Sequence, residues 1–283
     1  MKKVLFTAFS AAALLGLTAC GETTTEDGLN VEDILNKTMS AMEDLNSYSI
    51  EMDMNQLMKM GDEGEMAFDS SGDVELTMEP MTLKQSTRID MGEFGMGEES
   101  EMTYLTYFTE DEGFFVEDPM SGTWLKLPEE VMNDMLAMSE AQLNPEDQLK
   151  PFKEHISEVS VETTDSSYVI TLAGDGIDME QLMEQMGGMG LEGMDPMLSE
   201  MMEDIDIEAL AYEIFVDKET FYQTEANIDM TMTMTIMEET MTTQQKSNMI
   251  FSDFDKIDPI EIPQDVLDNA EEVSEEEMMG GGF

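Results

Sequence analysis

One cysteine and one histidine, in a chain of 283 residues, leave few groups for chemistry. With Cys20 alone, no disulfide within the chain is possible, and a lone thiol in an exported protein is a liability unless it is used. Metal centres built from His and Cys ligands are excluded on the same count. His155 stands among Lys153, Glu154 and Glu158, in a stretch that reads as solvated surface. No Gly-x-Ser-x-Gly elbow precedes a helix, so a Ser-His-Asp triad lacks its setting. Asp204-Ile205-Asp206-Ile207-Glu208 lacks the glycine that turns a calcium loop. The sequence therefore predicts a protein that is not an enzyme and takes no cofactor.

Basic residues are scarce as well. Twelve Lys and Arg stand against 65 Asp and Glu, for a formal charge of −53. A field of that sign repels nucleic-acid phosphates and anionic headgroups, so no nucleic acid is expected as a partner, and no membrane surface is held by charge. Most of these carboxylates read as a solvated surface, suited to high salt or high external pH. They are so numerous that pairs of acids prove nothing. High charge alone can mean disorder, but 41% of the residues are hydrophobic and they are patterned.

A long apolar run is missing too. Residues 4–17 form the longest, behind Lys2 and Lys3, and a membrane-spanning helix wants about 20 apolar residues. The layout is that of a removable export signal. It ends in Leu17-Thr18-Ala19-Cys20-Gly21, which resembles the lipobox of bacterial lipoproteins. The resemblance implies cleavage before Cys20 and a diacylglyceryl group on its sulfur, often with a further acyl chain such as palmitate. Two chains anchor stably where one does not. The expected location is the extracytoplasmic face of the cell membrane, with the membrane as partner through the lipid on Cys20.

Present in excess is methionine, 33 residues where Leu, Ile and Val would be usual. Its unbranched thioether fills irregular gaps and suits soft binding surfaces. Residues 31–45 have helical spacing, with Asn30 as N-cap. From Ser47 the period becomes two, with Tyr48, Ile50, Met52 and Met54 alternating with polar residues. The same alternation recurs at 74–78, 83–91, 102–108, 159–161, 168–172 and 210–216. It is clearest in Ala226-x-Ile228-x-Met230-x-Met232-x-Met234-x-Ile236, followed by a turn at Glu238-Glu239 and a last strand over 241–254. Short turns between consecutive strands imply antiparallel pairing. Helices are expected over 128–138 and 144–152, and in a glycine-interrupted region over 178–202 that reads as a mobile lid.

The expected organisation is a signal peptide over 1–19, a lipidated cysteine with flexible tether over 20–28, a single α+β domain over 29–270, and an acidic, Gly-rich disordered tail over 271–283. The domain is expected to be a large, curved, one-sided antiparallel sheet, a half-open barrel covered on one face by the N-terminal helix and the inserted helices. Its two strand-rich ends are expected to be halves of one sheet. A monomer is expected.

The helix leading into Ser47-Tyr48-Ser49, the run Gly113-Phe114-Phe115-Val116-Glu117-Asp118-Pro119 with Gly122-Thr123-Trp124-Leu125-Lys126-Leu127-Pro128, and Tyr212-Glu213-Ile214-Phe215-Val216-Asp217-Lys218-Glu219-Thr220 are telling together. With Phe251-Ser252-Asp253-Phe254 they resemble a family of uncharacterised lipoproteins from Gram-positive bacilli, a domain of unknown function. The layout, with the Asp217-x-x-Thr220 hairpin, is more distantly similar to the LolA-like and LppX-like envelope proteins. That resemblance implies an apolar cavity for acyl chains between curved sheet and helices.

Two sets of methionines are candidate ligand-binding residues. Met183, Met186, Met189, Met194, Met197, Met201 and Met202 belong to the glycine-interrupted region, and Met230, Met232 and Met234 to one strand face. The leading expectation is a non-enzymatic lipid or amphiphile carrier. The alternative is an envelope scaffold with a solid core and a protein or cell-wall partner. Copper buffering by thioethers, for which Met52-x-Met54 and Met58-x-Met60 also have the spacing, ranks third, because Tyr48, Ile50, Ile228 and Ile236 share those faces and favour packing.

Overall fold

A computed structural model of the chain describes residues 25, 27–60, 64–90, 101–119, 121–128, 149, 152, 159–174, 205–236 and 239–274. Helix α1 (Val31–Glu43) begins at the cap that the sequence predicts. The side chain of Asn30 accepts from the Asp33 amide at 2.8 Å, and the Asp33 carboxylate accepts from the Asn30 amide at 3.3 Å. Such a reciprocal cap is worth about 1 kcal/mol. The helix buries Val31, Ile34, Leu35, Thr38 and Met42, one stripe at helical spacing.

The strands that follow are β1 (Ser47–Met60), β2 (Gly64–Met78), β3 (Met81–Asp90), β4 (Glu101–Thr109), β5 (Gly113–Glu117) and β6 (Trp124–Lys126). After them come β7 (Val159–Thr163), β8 (Ser167–Gly174), β9 (Ile205–Asp217), β10 (Gln223–Ile236) and β11 (Glu239–Ser252). A short helix, α2 (Gln264–Asn269), and β12 (Glu271–Glu272) close the described chain. All twelve strands join one sheet in the order β12-β6-β5-β4-β3-β2-β1-β11-β10-β9-β8-β7. Every pairing is antiparallel except β12 on β6. The pairing of β1 with β11 makes the two strand-rich ends of the chain halves of one sheet, as expected. The sheet stays open, with β7 at one edge and β12 at the other.

Alternation puts one face of this sheet, the inner face, against α1. Tyr48, Ile50, Val74, Leu76, Phe108, Tyr168, Ile170, Ile214, Val216, Ala226 and Phe251 form one buried cluster with Ile34 and Leu35 of the helix. Leu149 and Phe152, both helical and fully buried, belong to it too, and the Phe152 ring lies 4.7 Å from that of Tyr212. Of the other expected helices, 129–138 and 178–202 lie outside the described residues. So do residues 1–24, with the expected signal peptide and Cys20.

The structure differs from the sequence reading in four places. The sheet is not one-sided, because residues 257–270 cross to the outer face. There Ile262 and Val266 bury against Tyr107 and Phe115, with Trp124 alongside. Glu271 and Glu272, expected in the tail, pair with Leu125 and Lys126, and Val273 is buried. Within the expected tether, Thr25 hydrogen-bonds with Leu29 and Asp27 accepts from Tyr168. Finally, β2 extends ten residues ahead of its apolar segment, from Gly64. The Asp217 hairpin is a tight turn in which one carboxylate oxygen accepts from the amides of Glu219 and Thr220 and from the Thr220 hydroxyl, at 2.8–3.0 Å. Those hydrogen bonds hold the Asp217 carboxyl below its usual range.

Candidate functional site

Strands β1, β2, β10 and β11 carry 14 or 15 residues each. At about 3.3 Å per residue they are about 45 Å long, whereas a helix the length of α1 reaches about 20 Å. Burial follows from this mismatch. Tyr48 and Ile50 of β1 are buried, while Met52, Met54, Gln56 and Met58 farther along the same face are half-buried. On β10, Ala226 is buried, while Ile228, Met230, Met232 and Met234 are half-buried.

Register unites methionines that the sequence keeps far apart. Met52 faces Met249 across β1 and β11, Met58 faces Met66 across β1 and β2, and Met234 faces Met241 across β10 and β11. Met230 and Met232 pack with Ile228 against Ile207 and Leu210 of β9, which are buried. Met230 and Met232 are half-buried members of this satellite cluster. Register shifts near Gln223 and at Met232 mark bulges between β9 and β10, and bulges bend and twist a sheet. The region from Met183 to Met202 lies outside the described residues.

The charge distribution on the two faces is one-sided. Paired residues project to the same side, so the ladder assigns each strand residue to a face. From β6 to β7, among the described residues, the charged ones fall at outer-face positions, apart from Glu239 at the β10–β11 hairpin tip and exposed Glu208 in the bulge. In a chain with 65 acidic residues that segregation is extreme. Sequence reasoning missed part of the inner face. Thr243, Gln245 and Ser247 form a neutral polar stripe along β11, flanked by Met54, Gln56 and Met58 on one side and by Ile228, Met230 and Met232 on the other. Both faces of β11 carry polar residues there, so only the register tells them apart.

The outer face carries a polar groove of roughly 310 Å³ over β1, β11, β10 and β9, lined by Asp53, Asn55, Glu213, Asn227, Asp229 and Lys246 among others. Many of its donors are already engaged. Asn248 donates to Glu225 at 3.0 Å and to Asn227 at 2.7 Å, Asn55 donates to Asp69 at 2.7 Å, and Lys246 pairs with Asp229 at 2.8 Å. These contacts tie neighbouring strands together on the wet side. Among the described residues, no group of three or more His, Cys, Asp or Glu could hold a metal ion.

Solved structures match at low identity and low TM-score. Lipovitellin, from a structure titled for its lipid–protein interactions, matches at 10% identity and a TM-score of 0.33, covering 77% of this chain and 26% of its own. The chain thus spans about a quarter of that protein. A LolA superfamily protein from Nitrosomonas europaea matches at 11% identity and a TM-score of 0.23, over 84% of this chain and 97% of its own. A DUF1329 family protein from Desulfovibrio piger matches at 9% and 0.26, over 79% and 92%. Among curated proteins none matches in sequence. Residues 30–271, nearly all of the described fold, match a family of unknown function, DUF6612, and the chain belongs to that family.

Proposed function

We propose that this protein is a non-enzymatic lipoprotein, anchored through Cys20 to the extracytoplasmic face of the membrane, that shelters an amphiphile against the distal inner face of its sheet. The observation that carries this reading is the segregation of charge. Water-facing strand positions are packed with carboxylates, whereas the inner face beyond the α1 core is apolar or neutral and half-buried. Methionine suits such a surface, because its flexible, polarizable side chain repacks around varied acyl chains. Water alone would not need that face kept free of charge.

The test is native mass spectrometry with lipid extraction on the whole mature chain carrying Cys20→Ser, purified without detergent. A co-purifying amphiphile supports the reading. A bare protein mass, with no gain in melting temperature across a lipid panel, overturns it. The anchor is tested separately: an alkyne-tagged palmitate should label the wild type and not Cys20→Ser, and the substitution should release the protein from the membrane fraction.

A solid scaffold is the second reading, favoured by the half of the inner face beneath α1. There Ile34, Leu35, Leu76, Ile214 and Ala226 are wholly buried and leave no room for a ligand. Cross-linking in intact cells that captures lipid and no protein would count against it.

A further inference from the structure

We infer that the ligand held on the distal inner face has an uncharged head, an acyl ester with a free hydroxyl of the diacylglycerol type, read by the neutral stripe on β11. The inference rests on the amphiphile reading above and names its substrate class. A purely apolar cargo would need only the methionines. Instead, Thr243, Gln245 and Ser247 run down the middle of the face, and Gln56 stands directly across from Gln245. Thr243 is buried, at 5% exposure, although it is polar.

The amides and hydroxyls of this stripe offer both donors and acceptors without charge. An ester carbonyl can accept from a glutamine amide, and a ligand hydroxyl can donate to an amide oxygen or to Ser247. Among the described residues, the Gln245 amide donates one long bond, to the Ser247 hydroxyl at 3.4 Å. Methionines flank the stripe on both sides, Met54 and Met58 on β1 and Met230 and Met232 on β10, so acyl chains leaving the head meet apolar surface either way.

Charge complementarity excludes the common ionised heads. A fatty-acid carboxylate or a phosphate laid here would lose water and find no counter-charge, because the described lysines and arginine on the strands occupy outer-face positions. It would also sit inside a protein of formal charge −53. Among the described residues, the carboxylates a cationic head could meet are Glu239, at the hairpin tip, and Glu208, in the bulge, and neither stands on the stripe.

The test uses the whole mature chain with Cys20→Ser and three fluorescent probes of the same acyl length: a diacylglycerol, a fatty acid at pH 8 and a phosphatidylglycerol. The diacylglycerol should bind about tenfold more tightly than either anion, and Gln56→Leu with Gln245→Leu should erase most of that preference, since a site built on hydrogen bonds discriminates through them. Equal binding of the anions, or an unchanged preference in a double variant of wild-type melting temperature, overturns the inference and leaves the amphiphile reading standing. If no probe binds, both fall. Should the double variant fail to fold, the ranking of heads by the Cys20→Ser chain decides.

Discussion

The hydroxyl of Tyr168 donates to the Asp27 carboxylate at 3.0 Å, joining the chain ahead of α1 to strand β8. Lys218 reinforces the junction, 3.9 Å from the same carboxylate and 5.5 Å above the Tyr168 ring. Burial and this hydrogen bond push the Tyr168 hydroxyl above its usual pKa. The pair ties Asp27 to the packed end of the sheet. Tyr168→Phe removes the hydrogen bond without emptying the core, and Asp27 remains open to water. A loss of about 1 kcal/mol is expected. Urea unfolding at pH 7 measures it, and an unshifted midpoint would mean that the junction adds nothing to stability.

Gly72, in the middle of β2, leaves no room for a side chain. A Cβ placed there would lie 2.9 Å from the backbone oxygen of Ser86. Glycine to alanine normally favours a strand, because alanine has less freedom to lose. Here the clash is with backbone, which cannot rotate away, so Gly72→Ala should destabilise by about 1–3 kcal/mol, the usual range for overpacking. Ser70→Ala, two residues along the same face, is the control and should fall within about 0.5 kcal/mol of wild type.

Much of this fold is legible in the sequence because alternation and face coincide on its central strands. Ile228, Met230 and Met232 share a side with Ile50 and Met52, and the intervening Asn227, Asp229 and Thr231 share the other. The helix at Val31 is legible from Asn30 and its apolar spacing. The opening of β2 is not, because Ser70, Ser71 and Gly72 interrupt the alternation and its pairing comes from β1, with β3 joining at Asp69. Strands β5 and β6 are short, and the register of β5 is set by β4 and that of β6 by β5. The outer-face cluster escapes because Tyr107, Phe115 and Trp124 point away from the main core. Only the return of Ile262 and Val266, far along the chain, gives them a partner. The stripe on β11 escapes for a related reason, since a run of Thr, Gln and Ser has no apolar period to read.

Two tyrosines in the core predict an alkaline limit to stability. Burial pushes the hydroxyls of Tyr48 and Tyr212 from 10.0 up to about 12. A raised folded pKa means that the stabilisation is complete below pH 10 and is lost as pH rises through the folded value. Each shift corresponds to roughly 2–3 kcal/mol that disappears across that window. Melting temperature should therefore hold to about pH 10 and fall steeply by pH 12, and Tyr48→Phe with Tyr212→Phe should flatten the decline. The same decline in the double variant would place the alkaline limit elsewhere in the chain.

The methionines separate an amphiphile from a metal. Cuprous copper needs thioether sulfur, whereas an acyl chain needs only apolar volume. Met230, Met232 and Met234 can each become Leu with little change in volume, and such swaps usually cost less than about 1.5 kcal/mol each. If the face holds acyl chains, the triple leucine variant should retain lipid as the wild type does. Met232→Lys, by contrast, sets a charge on the inner face opposite Ile207, which is 1% exposed. That variant should lose lipid retention by tenfold or more, because the ammonium stands on the face that acyl chains would cover and the cargo offers it no counter-charge. The opposite pattern, tight cuprous binding that vanishes in the leucine variant while Met232→Lys still retains lipid, would make the inner face a thioether site and end the carrier reading.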